Sequence, residues 1–121
     1  MKEPVLLFRV SRSRNNKVIL GLYILLREAK GNVVVYPGKI ARVTAKMGYD
    51  SPFKYVRPAA RLLGNLEKLE LIEPFNFTRA RTSRIWVISF NSPLMAMARS
   101  MTAEEFVEKL NELIKEGGGH A

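Results

Sequence analysis

Hydrophobic positions in this chain fall into short blocks whose period switches between helical and extended, and the switches mark the elements. Residues 5–10 are a brief apolar run containing β-branched side chains, which predicts a strand or extended arm. SRSRNNK follows, with Asn15 or Asn16 placed to cap a helix over residues 17–29. Within that helix Val18, Ile19, Leu22, Ile24, Leu25 and Leu26 leave little polar surface. Such a helix belongs at the centre of the fold or in a dimer contact. Gly31-Asn32 closes it, residues 33–36 predict a strand, and Pro37-Gly38 ends the strand. KIARVTAKMG then predicts a short helix, with Ile40, Val43 and Met47 at helical spacing and Gly48 as the breaker.

The next block is interrupted by prolines. Ser51-Pro52 opens a short turn over residues 51–56, and the main helix is expected to begin near Arg57-Pro58, because a proline deeper inside would remove a backbone bond. Its apolar face is Ala59, Leu62, Leu63, Leu66 and Leu69, while Arg61, Gly64, Asn65 and Lys68 fall on the other side, joined by Arg57. LEKLELIEP carries the helix directly into a strand over residues 71–77, and a second strand returns over residues 84–90. Their linker TRARTS has no tight-turn pair, so a longer hairpin loop is expected. Asn91-Ser92-Pro93 stops the strand, and MAMARSM is apolar cover for the core. Thr102 and Glu105 form a capping box, behind which Phe106, Val107, Leu110, Leu113 and Ile114 make an amphipathic stripe. That helix either closes the monomer's core or joins two subunits.

Charge changes the picture from fold to partner. The chain has 121 residues and a formal net charge of +9, enough length for one domain. Residues 1–101 carry eighteen bases against six acids, whereas from Thr102 onward five acids face two bases. Such a field attracts polyanions without choosing a sequence. Cysteine is absent, which removes disulfides and thiol chemistry, and the lone His120 sits in the GGGHA tail. Glutamine is absent too, as in chains from high-temperature sources that avoid thermolabile side chains. The run VILGLYILL is too short to span a bilayer, and no cleavage site follows the N-terminal apolar run. The expected setting is therefore the cytoplasm, with no membrane partner.

The order helix, strand, helix, helix, hairpin resembles the winged helix-turn-helix family, common among archaeal and bacterial transcription regulators. The resemblance rests on VILGLYILLREAKG, NVVVY, IARVTAKMG, RPAARLLGNLEKLELIEP and FNFTRARTSRIWVISF. It implies an α+β fold: a winged helix-turn-helix over residues 17–90, with an N-terminal strand and basic arm over 1–16. A linker and C-terminal packing or dimerisation helix follow over 91–116, then a flexible tail over 117–121. It further implies duplex-DNA binding by a dimeric regulator whose third helix reads the major groove. Lys54, Arg57, Arg61, Asn65 and Lys68 are the candidates there, with Arg57 and Arg61 one turn apart. Arg79, Arg81 and Arg84, aided by Thr82 and Ser83, are the wing candidates for phosphates or the minor groove. Arg12 and Arg14 are a candidate basic arm. The sequence departs from the family at YDSPFKYV, where the turn between the second and third helices is lengthened. Phe53 and Tyr55 in that turn either pack it or stack on a partner.

An enzyme is not expected. The carboxylates are scattered, no glycine-rich phosphate loop occurs, and nothing assembles an acid–base pair or a metal cage. No metal, cofactor or small-molecule ligand is expected. RNA or ribonucleoprotein binding, an architectural chromatin role, and a protein-interaction module are the competing readings.

Overall fold

Arg14–Glu28, the most apolar long stretch, forms a helix that touches five other helices. In the computed structural model, which describes residues 3–75 and 84–117, the elements run as follows. Helix α1 (Glu3–Val10) and α2 (Arg14–Glu28) precede strand β1 (Val33–Val35) and helix α3 (Pro37–Gly48). A 3-10 turn at Pro52–Lys54 leads to α4 (Val56–Lys68), then strands β2 (Glu73–Pro74) and β3 (Trp86–Ile88). Helices α5 (Pro93–Ser100) and α6 (Ala103–Gly117) close the chain. The sheet is antiparallel in the order β1-β3-β2, with Val33 opposite Ile88 and Glu73 opposite Val87. This is the expected α+β winged helix-turn-helix topology, with α1 added before it and α5 and α6 after.

The N-terminal arm is helical where the apolar run predicted strand. Over residues 4–10 of α1 only Pro4 and Phe8 are buried, so the run presents one face inward rather than alternating. Phe8 seats on Gly48 of α3: a methyl group built there would lie 2.9 Å from Phe8 Cζ and still closer to Cε1. Arg14 consequently lies in the first turn of α2 and Arg12 in the short link before it, both exposed, so neither extends away on a free arm. The cap of α2 is also earlier than the Asn15–Asn16 pair suggested. Ser13 Oγ accepts from the Asn16 amide at 3.3 Å, and the helix starts three residues sooner than expected.

The core gathers α2, the inner faces of α3 to α6 and the sheet. Val18, Leu22, Leu26, Ile40, Leu63, Leu66, Trp86, Ile88, Phe106 and Leu110 are all sealed from solvent. At the α2–α3 crossing Gly21 lies against Thr44, whose hydroxyl donates to the Ile40 carbonyl at 2.8 Å. Pro37, read from sequence as a strand stop, occupies the first turn of α3, where the missing amide is not needed. Ser92 and Pro93 act the same way: Ser92 Oγ accepts from the Met95 amide at 3.2 Å and opens α5, so the expected linker is a helix burying Leu94, Met95 and Ala98. The capping box of α6 forms as expected. The Glu105 amide donates to Thr102 Oγ1 at 3.2 Å, and the Thr102 amide to Glu105 Oε1 at 2.9 Å. Phe106 and Leu110 point into the monomer's own core, while Val107, Leu113 and Ile114 pack partly buried at its edge.

Candidate nucleic-acid interface

Helix α4 is positioned by its apolar stripe, and the same stripe dictates what faces outward. Ala59, Ala60, Leu62, Leu63 and Leu66 are buried, which leaves Arg57, Arg61 and Lys68 exposed along a line flanked by Gly64 and Asn65. The helix starts at Val56, ahead of the expected Arg57-Pro58 boundary. Pro58 is tolerated because it falls within the first turn, whose amides have no partner inside the helix. The first ladder bond is made one residue later, Ala59 N to Tyr55 O at 2.9 Å.

The C-terminal end of α4 explains how LEKLELIEP passes from helix to strand. The Leu71 amide donates to Leu66 O at 3.0 Å and the Glu70 amide to Glu67 O at 2.9 Å. These are the paired bonds of a Schellman motif, with Glu70 at φ 61 in the left-handed position usually held by glycine. The reversal delivers the chain to β2 and thence to the wing.

Wing and helix are tied by Glu67. The indole Nε1 of buried Trp86, on β3, donates to Glu67 Oε1 at 2.6 Å. Arg84 places Nη1 3.6 Å from the same oxygen, with its guanidinium 6.0 Å from the Trp86 ring centre. Arg84 thus sits at the base of the hairpin against α4, engaged there rather than projecting. Phe75 N donates to Ile85 O at 2.7 Å, the last described rung of the hairpin. Arg79, Arg81, Thr82 and Ser83 lie outside the described residues.

The lengthened turn between α3 and α4 has a built interior. Tyr55 is buried, and its hydroxyl donates to Asp50 Oδ2 at 2.8 Å. Lys54 Nζ lies 2.8 Å from Asp50 Oδ1, so this candidate base reader is held by an ion pair one turn back. Hydrogen bonds from Lys54 and Tyr55, then the Ser51 amide, bring the Asp50 carboxyl down to about 2. Burial, then the Asp50 contact, pushes the Tyr55 phenol up to about 12. Of the two aromatics expected either to pack the turn or to stack on a partner, Tyr55 packs and Phe53 stands out at 89% exposed. Tyr49, which the sequence reading did not single out, is 97% exposed. No periodic signal marked it, because it follows Gly48 directly in a segment without repeat.

Three further cations hold the fold. Arg27 Nη1 donates to Arg99 O at 2.9 Å at the end of α5, Lys39 Nζ to Val34 O at 2.8 Å, and Arg42 Nη2 to Tyr36 Oη at 2.7 Å. Arg57, Arg61 and Lys68 make no ion pair among the described residues. Arg61 and Asn65 border a cavity of about 70 Å³ shared with Asn15 and Ile19 of α2 and with Asn111 and Ile114 of α6. Among the described residues no three acidic, histidine or cysteine side chains gather as a metal ligand set, and no helix is long and apolar enough to cross a membrane. Compared with protein-family models, curated proteins and solved structures, the chain matches none. The chain is a basic α+β protein whose fold matches a winged-helix nucleic-acid-binding module in shape.

Proposed function

We propose that this protein binds duplex DNA through α4 and the β2–β3 wing, as a transcriptional regulator. The observation that carries the reading is the line of Arg57, Arg61 and Lys68 on the face of α4 opposite its buried stripe, exposed and without a described acidic partner. A helix of this kind fits the major groove, where arginine reads guanine with two bonds and lysine anchors phosphate. Arg57 and Arg61 take the base-facing role and Lys68 the backbone. Arg79 and Arg81 extend the contact from the wing, and Arg84 fixes the wing's base. Because Phe106 and Leu110 are sealed inside the subunit, the proposed dimer contact moves to exposed Val10 of α1, which lines one groove with Leu7 and with Val107 of α6.

The test is a pair of substitutions assayed on selected and scrambled duplexes. Arg61→Ala should reduce the preference for the selected duplex by roughly 5- to 150-fold, the equivalent of one bidentate base contact. Arg81→Ala should weaken both duplexes alike. The reverse pattern would mean that helix and wing have exchanged roles, and no effect of either would remove the interface.

A further inference from the structure

Two aromatic side chains in the α3–α4 turn are nearly as exposed as a side chain can be, Tyr49 at 97% and Phe53 at 89%. The turn does not lack a place to bury a ring. Tyr55, two residues beyond Phe53, is 1% exposed and packs 6.2 Å from Phe8 of α1. Nor is the turn loosely held. Asp50 N donates to Ala45 O at 2.9 Å, Ser51 N to Asp50 Oδ1 at 3.0 Å, and Tyr55 N to Pro52 O at 2.9 Å. Asp50 also binds Lys54 and Tyr55 as described, so the two outer rings are mounted on a braced base.

Tyr49 is held at φ 53 and ψ 41, a left-handed conformation that glycine adopts without strain. Glycine is available one residue earlier, but the absence of a side chain at Gly48 is needed by Phe8. The left-handed residue closes α3 as Glu70 closes α4, so what sets Tyr49 apart is a large aromatic side chain left almost wholly in solvent.

The surroundings identify that partner's chemistry. Between residues 29 and 66 the only carboxylate is Asp50, and it is satisfied within the turn. Arg42, Lys46 and Tyr49 line one open groove with Ala45, Asp50 and Pro52. Arg57 of α4 follows the turn directly, and Arg57 and Lys46 are both exposed. Flat aromatic rings beside exposed cations suit nucleobases, whose free faces stack on aromatics in a sequence-tolerant way. Inside a duplex those faces are covered by neighbouring bases. They are open where bases are unpaired, and otherwise only on the outer side of a terminal pair.

We propose that Tyr49 and Phe53 form a stacking platform for unpaired nucleobases, so that the protein prefers duplex DNA adjoining a single-stranded stretch. The inference rests on the duplex-binding reading of α4 and adds its substrate class. One stacked base strengthens binding by roughly 5- to 150-fold.

The experiment compares one short duplex, blunt or carrying a single-stranded extension of a few nucleotides, by fluorescence anisotropy with the label at the far end. The intact protein should bind the extended duplex at least about 5-fold more tightly than the blunt one. Phe53→Ala and Tyr49→Gly should each lower that preference while leaving blunt-duplex affinity in place, and Phe53→Trp should keep it. Tyr49→Gly should melt no lower than the parent, since it relieves the left-handed residue, so loss of folding cannot account for its effect. Equal affinity of the parent for both duplexes, or a preference that survives both deletions, overturns the platform and leaves duplex binding standing. Failure to bind either duplex at low salt overturns both proposals.

Discussion

Removing the Glu67 carboxylate should uncouple the wing from the helix that it flanks. Trp86 is fully buried and Glu67 Oε1 accepts its indole N–H at 2.6 Å, so Glu67→Ala deprives a buried donor of its acceptor. Leaving such a donor unsatisfied costs about 1–3 kcal/mol. The Arg84 pair adds little: at 3.6 Å, with both side chains roughly a quarter to a third exposed, it belongs in the range of about 0–1 kcal/mol for solvent-screened pairs. Glu67→Gln keeps an acceptor oxygen and loses the charge, so it should cost less, about 0.5–1.5 kcal/mol, the difference between charged and neutral hydrogen bonds. Trp86→Phe removes the donor, and in that background Glu67→Ala should cost almost nothing beyond the ion pair. Urea denaturation of the four proteins in this cycle measures a coupling, expected at about 1–2 kcal/mol. A coupling within about 0.3 kcal/mol of zero, or a Gln variant as unstable as the Ala variant, would refute the assignment of this bond.

Glu70→Gly should raise stability by about 1 kcal/mol, because it removes the steric penalty of a side chain at φ 61 while keeping the Schellman bonds; a thermal melt checks it. Gly21→Ala should destabilise by about 1–3 kcal/mol despite the gain of up to about 1 kcal/mol in helix propensity, since the added methyl meets the Thr44 hydroxyl. Thr44→Ala in the same chain should recover part of that loss by removing the hydroxyl, read again by denaturation. Asp50 has a folded-state value of about 2 against an ordinary 3.8, so its contribution is present above pH 4 and is lost as pH falls towards 2. Asp50→Asn should flatten the acid limb of a stability–pH profile in that window; an unchanged limb would contradict the Lys54–Asp50–Tyr55 contact.

Elements with local chemistry were legible in the sequence. The capping box at Thr102 and Glu105, the all-round apolar α2 and the outward line Arg57, Arg61 and Lys68 follow from spacing alone, and each has a counterpart in the fold. Prolines were harder, since Pro37, Pro58 and Pro93 can end one element or begin another, and only tertiary packing decides between them. The run in α1 read as extended because five apolar residues in six fit strand and helix equally; its docking on Gly48 selects helix. The Glu67–Trp86 bond joins residues 19 apart across a helix and a strand, and no periodicity reveals such a register. Exposure of Tyr49 and burial of Tyr55 likewise depend on a turn that is built from its own hydrogen bonds, among them Tyr55 to Asp50 at 2.8 Å.

Sequence-specific duplex binding is measured by affinity for duplexes selected from a random pool, compared with scrambled duplex across a range of salt. Base reading by α4 over a phosphate-contacting surface predicts a linear fall of log affinity with log salt, with a slope of about −0.9 for each phosphate contacted, and a preference for the selected sequence that persists as salt rises. Lys68→Ala should shallow that slope by about one contact without altering sequence preference. Equal affinity for selected and scrambled duplex at every salt concentration would contradict base reading by α4.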